Sequence, residues 1–192
     1  MKLRSPTTRI APHRERGAVL VVALMFLVAM TLLALSAMTT TTLEEKMSGN
    51  ARDYNVALQA AEATLRDAQN DLLATGATGR TVTLVGFTSA CPAGLCAPTA
   101  LTNQMYSSAD WSSSSTTTVQ YGAWTGAATF PSVATQPRYM MELVPNMKAK
   151  ITGVSANVDA YYLRTTVRAY GVNSNTQVNL QNVFLATIQA GF

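Results

Sequence analysis

The sequence predicts an α+β fold: a long N-terminal helix, apolar in its transmembrane half and amphipathic in its second half, packed on a C-terminal antiparallel β-sheet. Three observations carry this reading. Residues 18–38 contain no charged side chain, apolar residues recur at helical spacing from 43 to 72, and strand-like alternation takes over toward the C-terminus. The organisation that follows is a basic leader over 1–17, a transmembrane half-helix over 18–38 and an amphipathic half-helix over 39–75. A loop-rich region with a cysteine pair (76–137) and a sheet region (138–192) complete it.

The leader holds Lys2, Arg4, Arg9, Arg14 and Arg16 against Glu15 alone, which accounts for the whole net charge of +4. The rest of the chain is neutral. It therefore lacks the basic face that a nucleic-acid partner requires, and the leader is a determinant of topology. The next 21 residues, Ala18 to Met38, have only Thr31 and Ser36 as polar members. As a helix they span about 32 Å, the thickness of a bilayer's hydrocarbon core. A secretory signal has a shorter apolar core of roughly 7–15 residues. Cleavage at Ala34-Leu35-Ser36 is nonetheless the competing reading. The positive-inside rule keeps 1–17 in the cytoplasm and places everything after Met38 across the membrane.

The helical pattern continues through Leu43, Met47, Ala51, Tyr54, Leu58, Ala61, Leu65, Ala68 and Leu72, at spacings of three and four. Opposite them stand Glu44, Arg52, Gln59, Glu62 and Arg66. Thr39–Thr42 and Ser48-Gly49-Asn50 are soft points, with a capping-box spacing from Thr42 to Glu45. The threonine hydroxyls can bond back to the preceding turn, so one helix is expected from Ala18 to about Leu73. Arg80–Phe87 reads as a strand, and "SSADWSSSSTTT" as an exposed loop. Further strands are expected at 138–144, 158–170 and 176–189, the last two joined by a hairpin turn at Gly171–Asn175. One apolar face of such a sheet needs a cover, and the 43–72 stripe supplies it.

The one histidine, His13, lies in the leader. The body thus has no Ser-His or Cys-His nucleophile arrangement and no His-based metal site, nor a phosphate-binding loop, so no enzymatic role, cofactor or metal is expected. Cys91 and Cys96 in "CPAGLC" are expected to form a local disulfide in an oxidising compartment, with free thiols as the alternative.

The segment "ERGAVLVVALMFLVAMTLLALSAMTTTTLEEKMSGNARDYNVALQAAEATLR", above all "TTLEEKMSGNARD" followed by "ALQAAEATLR", resembles the N-terminal domain of PilX-type minor pilins of the type IV pilus. "PRYMMEL" and "YYLRTTVRAYG" resemble that group's C-terminal strands more weakly. The resemblance implies a type IV pilin-like fold and cleavage by a prepilin peptidase after Gly17. Ala18 would be the mature, N-methylated residue, and the helix would be kept to pack in a filament. It also implies partners: other minor and major pilins, the inner-membrane assembly platform, a tip adhesin, and membrane lipid along 18–38, with no nucleic acid. The implied location is the bacterial inner membrane, a single pass with the C-terminal domain in the periplasm, and then the pilus. Most pilins begin with Phe and carry Glu at the fifth mature position; here Ala18 and Val22 stand there. A tip-located role in starting or capping the filament follows from that departure. The alternatives are a minor pseudopilin of a type II secretion system and a membrane-tethered binding module.

The processing reading is checked by intact mass. Cleavage is expected between Gly17 and Ala18 and blocked by Gly17→Glu. A mature N-terminus near Ala37 would mean an ordinary signal peptide instead.

Overall fold

A computed structural model of the chain describes residues 17–73, 80–97, 105–151 and 158–188. They belong to two compact units, one ending at Ser48 and the other beginning at Gly49. A single α-helix, α1 (Ala18–Leu73), contributes to both.

The described part of the first unit is the turn residue Gly17 followed by helix, and its side chains are exposed along that whole length. The four consecutive threonines do not interrupt it. Thr39 and Thr40 donate to the Ser36 carbonyl, Thr41 to Ala37, and Thr42 to Met38 and Thr39, so each β-branched residue satisfies its hydroxyl on the preceding turn.

In the second unit the helix meets a mixed sheet. Strands β1 (Leu95–Cys96), β2 (Val119–Gln120), β3 (Arg138–Ile151), β4 (Val158–Tyr170) and β5 (Gln177–Thr187) make it up, in the order β1-β3-β4-β5. The long strands pair antiparallel, Leu143 with Leu163 and Leu163 in turn with Phe184. β1 lies parallel to β3, and β2 antiparallel to it along the same outer edge. The expected purely antiparallel sheet is corrected on this point, because a two-residue parallel strand fed by the cysteine loop carries no periodicity of its own. β3 also runs past the expected 138–144. Its register shifts between Leu143 and Lys148, where Pro145 cannot donate to the ladder, and pairing then resumes to Ile151. The 80–87 strand is not formed. Gly86 and Phe87 donate back to the carbonyls of Thr83 and Leu84, closing a short 3₁₀ turn that still buries Val82 and Phe87.

The covering face of α1 shares Ala61 and Ala68 with the expected stripe, both fully buried, and otherwise lies beside it. Leu43, Met47 and Tyr54 are 61%, 71% and 51% exposed, and Leu58, Leu65 and Leu72 are only partly buried. The buried helix positions are Ala57, Ala60, Ala61, Thr64, Asp67, Ala68 and Asp71. At about 100° per residue this face is rotated by roughly 80° from the expected line over 54–72. Small side chains of the helix pack on the sheet, and the leucines flank the contact. Against them pack Tyr139, Met141, Leu163, Val167 and Ala169.

The other face of the sheet is covered too. Met140 packs with Trp111 and the Cys91–Cys96 pair, and Met105, Tyr106 and Ala109 lie against them. The serine-rich stretch is therefore a second lid on the sheet. Arg138 fixes it by donating to the Thr118 hydroxyl (2.7 Å) and to the carbonyls of Ser113 (3.2 Å), Ser115 (2.7 Å) and Thr118.

Close packing of the small face is testable by overfilling it. Ala61→Leu should destabilise the folded protein by about 1–3 kcal/mol, whereas Leu73→Ala, at an exposed position of the same helix, should stay within about 0.5 kcal/mol. Thermal or urea unfolding reads both.

Candidate functional site

Two regions of the chain offer chemistry to other molecules. They are the apolar start of α1 and the loop platform that the second half of α1 holds in place.

Gly17 lies in the turn before α1, Ala18 is the first helical residue, and Val22 is half-exposed one turn on. No acidic residue occupies the first helical turn. Leu20, Leu24, Phe26, Leu27, Leu33 and Leu35 are all more than half exposed. This helix is long and apolar enough to cross a membrane. A continuous apolar surface of that length demands lipid or protein around it.

The platform is held by three aspartates of α1: Asp53, Asp67 and Asp71. Asp71 is fully buried. Arg80 pairs with it at 2.9 Å, and the Tyr139 hydroxyl donates to the same carboxylate oxygen at 2.9 Å. Arg80 also donates to the Ala93 carbonyl (2.6 Å) and lies 5.1 Å from the centre of the Trp124 ring, so one ion pair fixes both the cysteine loop and the next loop. Burial, and then the adjacent Asp71 carboxylate, hold the Tyr139 phenol well above the usual tyrosine range. Asp67 accepts from the Gly122 backbone N–H at 2.8 Å and from the Thr125 hydroxyl. Gly122 has φ +75°, and a side chain there would strike Ala127.

Asp53 caps the β4–β5 turn by accepting from the backbone N–H groups of Val172 and Asn173. The Thr176 hydroxyl, then those two backbone donors, lower its pKa below the usual carboxylate value. Gly171 is required here because a side chain would run into the Asp53 carboxylate and lie 2.9 Å from the Asp53 carbonyl oxygen. A groove of about 1030 Å³ opens beside this turn, bounded by Arg52, Asp53, Val56, Ala134 and Val172.

Cys91 and Cys96 form a disulfide, in agreement with the expectation. Cys91 and Ala93 both take left-handed backbone conformations, and the loop is closed by the Gly94 N–H on the Cys91 carbonyl (3.2 Å). Among the described residues, no group of three or more His, Cys, Asp or Glu side chains is placed to hold a metal. Sequence reasoning missed the three aspartates, which are the residues that organise the platform. Their signal was available: positions 53, 67 and 71 fall within about 40° of one another around the helix, on the flank of the apolar stripe.

Two family models match the chain. PilX N-terminal covers residues 16–66, and Type IV pilus assembly protein PilX C-term covers residues 72–186. No curated protein and no solved structure matches.

The Asp71 centre makes two measurable predictions. Asp71→Ala should cost about 3–5 kcal/mol, because it leaves Arg80 without its counter-charge in a largely buried site. Tyr139, with its raised pKa, contributes stability that is fully present below the ordinary tyrosine pKa of about 10 and is lost as pH rises above it. Unfolding midpoints of the wild type should therefore fall above about pH 10 more steeply than those of Tyr139→Phe.

Proposed function

Because the chain belongs to the PilX family of type IV pilus assembly proteins, we propose that it is a minor pilin that primes or caps the filament at its tip. One observation carries the finer part of this reading: Val22 stands where a shaft pilin would have Glu, and the first turn of α1 has no other acid.

A subunit entering below another brings a carboxylate to the free N-terminal amine of the subunit already in place. Both groups lie in apolar surroundings, where a lone charge is costly and a pair is worth more than an exposed ion pair. A subunit at the tip has no predecessor, so it leaves no amine unpaired by lacking the Glu. Its own Ala18 amine still offers a charge to the carboxylate of the next subunit. The exposed apolar run from Val19 to Met38 serves this role twice, first in lipid and then against neighbouring helices.

In this reading the leader is removed at Gly17, residues 18–38 cross the inner membrane, and the disulfide-bonded platform faces the periplasm before incorporation. The contribution to assembly is structural. Its partners are the other minor pilins and the major pilin, reached through α1, with the prepilin peptidase and the inner-membrane platform acting on it beforehand. A tip adhesin would meet it through the loop platform.

Immunogold labelling of sheared pili tests the position. Label is expected at one end, in low copy number, and even decoration along the shaft would overturn the tip reading. Deletion should reduce pilus number far more than pilus length, and Val22→Glu should raise the amount of this protein recovered per unit of pilin.

A further inference from the structure

The face of the sheet turned away from α1 carries a pocket. Its volume is about 390 Å³, within the range of about 300–1,000 Å³ for small-molecule sites. Tyr106, Trp111, Thr166, Arg168, Asn179 and Gln181 line it. The walls are set firmly. Trp111 is buried and donates its indole N–H to the Tyr106 carbonyl (3.4 Å), and Arg138 ties down the stretch that follows Trp111.

Arg168 is the chemically distinctive member. Its guanidinium stacks 4.8 Å from the Trp111 ring centre, and its Nε donates to the Asn179 Oδ1 at 3.0 Å. Its two terminal nitrogens have no hydrogen-bond partner and no acidic neighbour among the described residues. Arg164, two positions earlier on the same face, is different. It pairs at 2.9 Å with the fully buried Glu142. The pocket thus holds one positive charge without a matching acid, oriented by stacking and by one hydrogen bond.

We propose that this pocket binds a saccharide bearing a carboxylate, with Arg168 taking the carboxylate. A planar guanidinium with two free nitrogens matches a carboxylate in shape, and a single cation balances a single negative charge. A phosphate monoester would bring close to a second charge with nothing to pair it. The rest of the lining suits hydroxyl groups. Gln181 Nε2 donates to the Thr166 hydroxyl at 3.0 Å, which leaves the Gln181 carbonyl as an acceptor. Asn179 uses its oxygen on Arg168 and Gln177, which leaves its NH₂ as a donor. Tyr106, half-buried at the rim, supplies apolar surface for the C–H face of a sugar ring. This site and the tip position in the filament are independent of each other.

The test is calorimetric titration of the full-length protein in detergent with glucuronate and galacturonate, and with glucose and acetate as controls. At least one uronate should bind saturably, and glucose and acetate at least about tenfold more weakly. Arg168→Gln should weaken the uronate by about tenfold or more, and Asn179→Ala should weaken it without altering the thermal midpoint. Absence of uronate binding overturns the proposal, as does equal binding of acetate (an unspecific anion site) or of glucose (a neutral-sugar site). If Arg168→Gln lowers the thermal midpoint, Arg168→Lys decides. It keeps the charge and most of the stem but loses the fork, so an unchanged uronate affinity overturns the assignment.

Discussion

Asp71 sits fully buried on α1, and a carboxylate there is tolerable only because Arg80 and Tyr139 both donate to it. That requirement sets much of the second unit. Tyr139 belongs to the central strand β3, and Arg80 begins the segment that leads into the cysteine loop. Helix, sheet and loop are therefore joined at one carboxylate. Asp67 and Asp53 repeat the device, the first accepting from the Gly122 N–H and the Thr125 hydroxyl and the second from two backbone N–H groups of the β4–β5 turn. Loops in this region keep their shape because a rigid helix supplies acceptors at fixed heights, and backbone donors held against a carboxylate make stronger bonds than neutral pairs.

The same economy explains why the helix face is made of alanines. Aspartate side chains are short, so they reach loop N–H groups and the Tyr139 hydroxyl only if the helix lies close to the sheet. Ala57, Ala60, Ala61 and Ala68 permit that approach, and larger residues in their place would hold the carboxylates away from their donors. On the far side, Arg138 and the disulfide do comparable work for the serine-rich stretch, which becomes a lid over Met140. With both faces covered, β3 can bury charged and polar side chains such as Arg138 and Glu142 alongside its apolar ones, each of them partnered.

This arrangement suits a subunit of an assembled fibre. A helix exposing its whole apolar first half is unstable in water by itself and must be solvated by lipid or by other helices. The described part of the loop platform is held by internal contacts, one of them covalent.

Elements whose signals are local were legible from the order of residues. The uncharged run from Ala18 to Met38, the helical spacing beyond it, the clean alternation of Tyr161–Tyr170 and the turn residues after it each follow from a periodicity that needs no distant partner. The cysteine pair was legible from its spacing, whereas Val22 stands out only against the pattern of the pilins that the chain resembles. Tertiary structure alone decided which face of α1 is inside. Leu58, Leu65 and Leu72 mark the greasiest line and pack at the margin of the core, while the buried face shares only Ala61 and Ala68 with that line and otherwise follows the aspartates, whose donors lie on loops far away in the chain. It also decided that Arg80–Phe87 turns instead of extending, that β1 joins β3 in parallel, and that the serine-rich stretch covers the sheet. In each case the deciding hydrogen bonds join residues whose proximity no local pattern encodes.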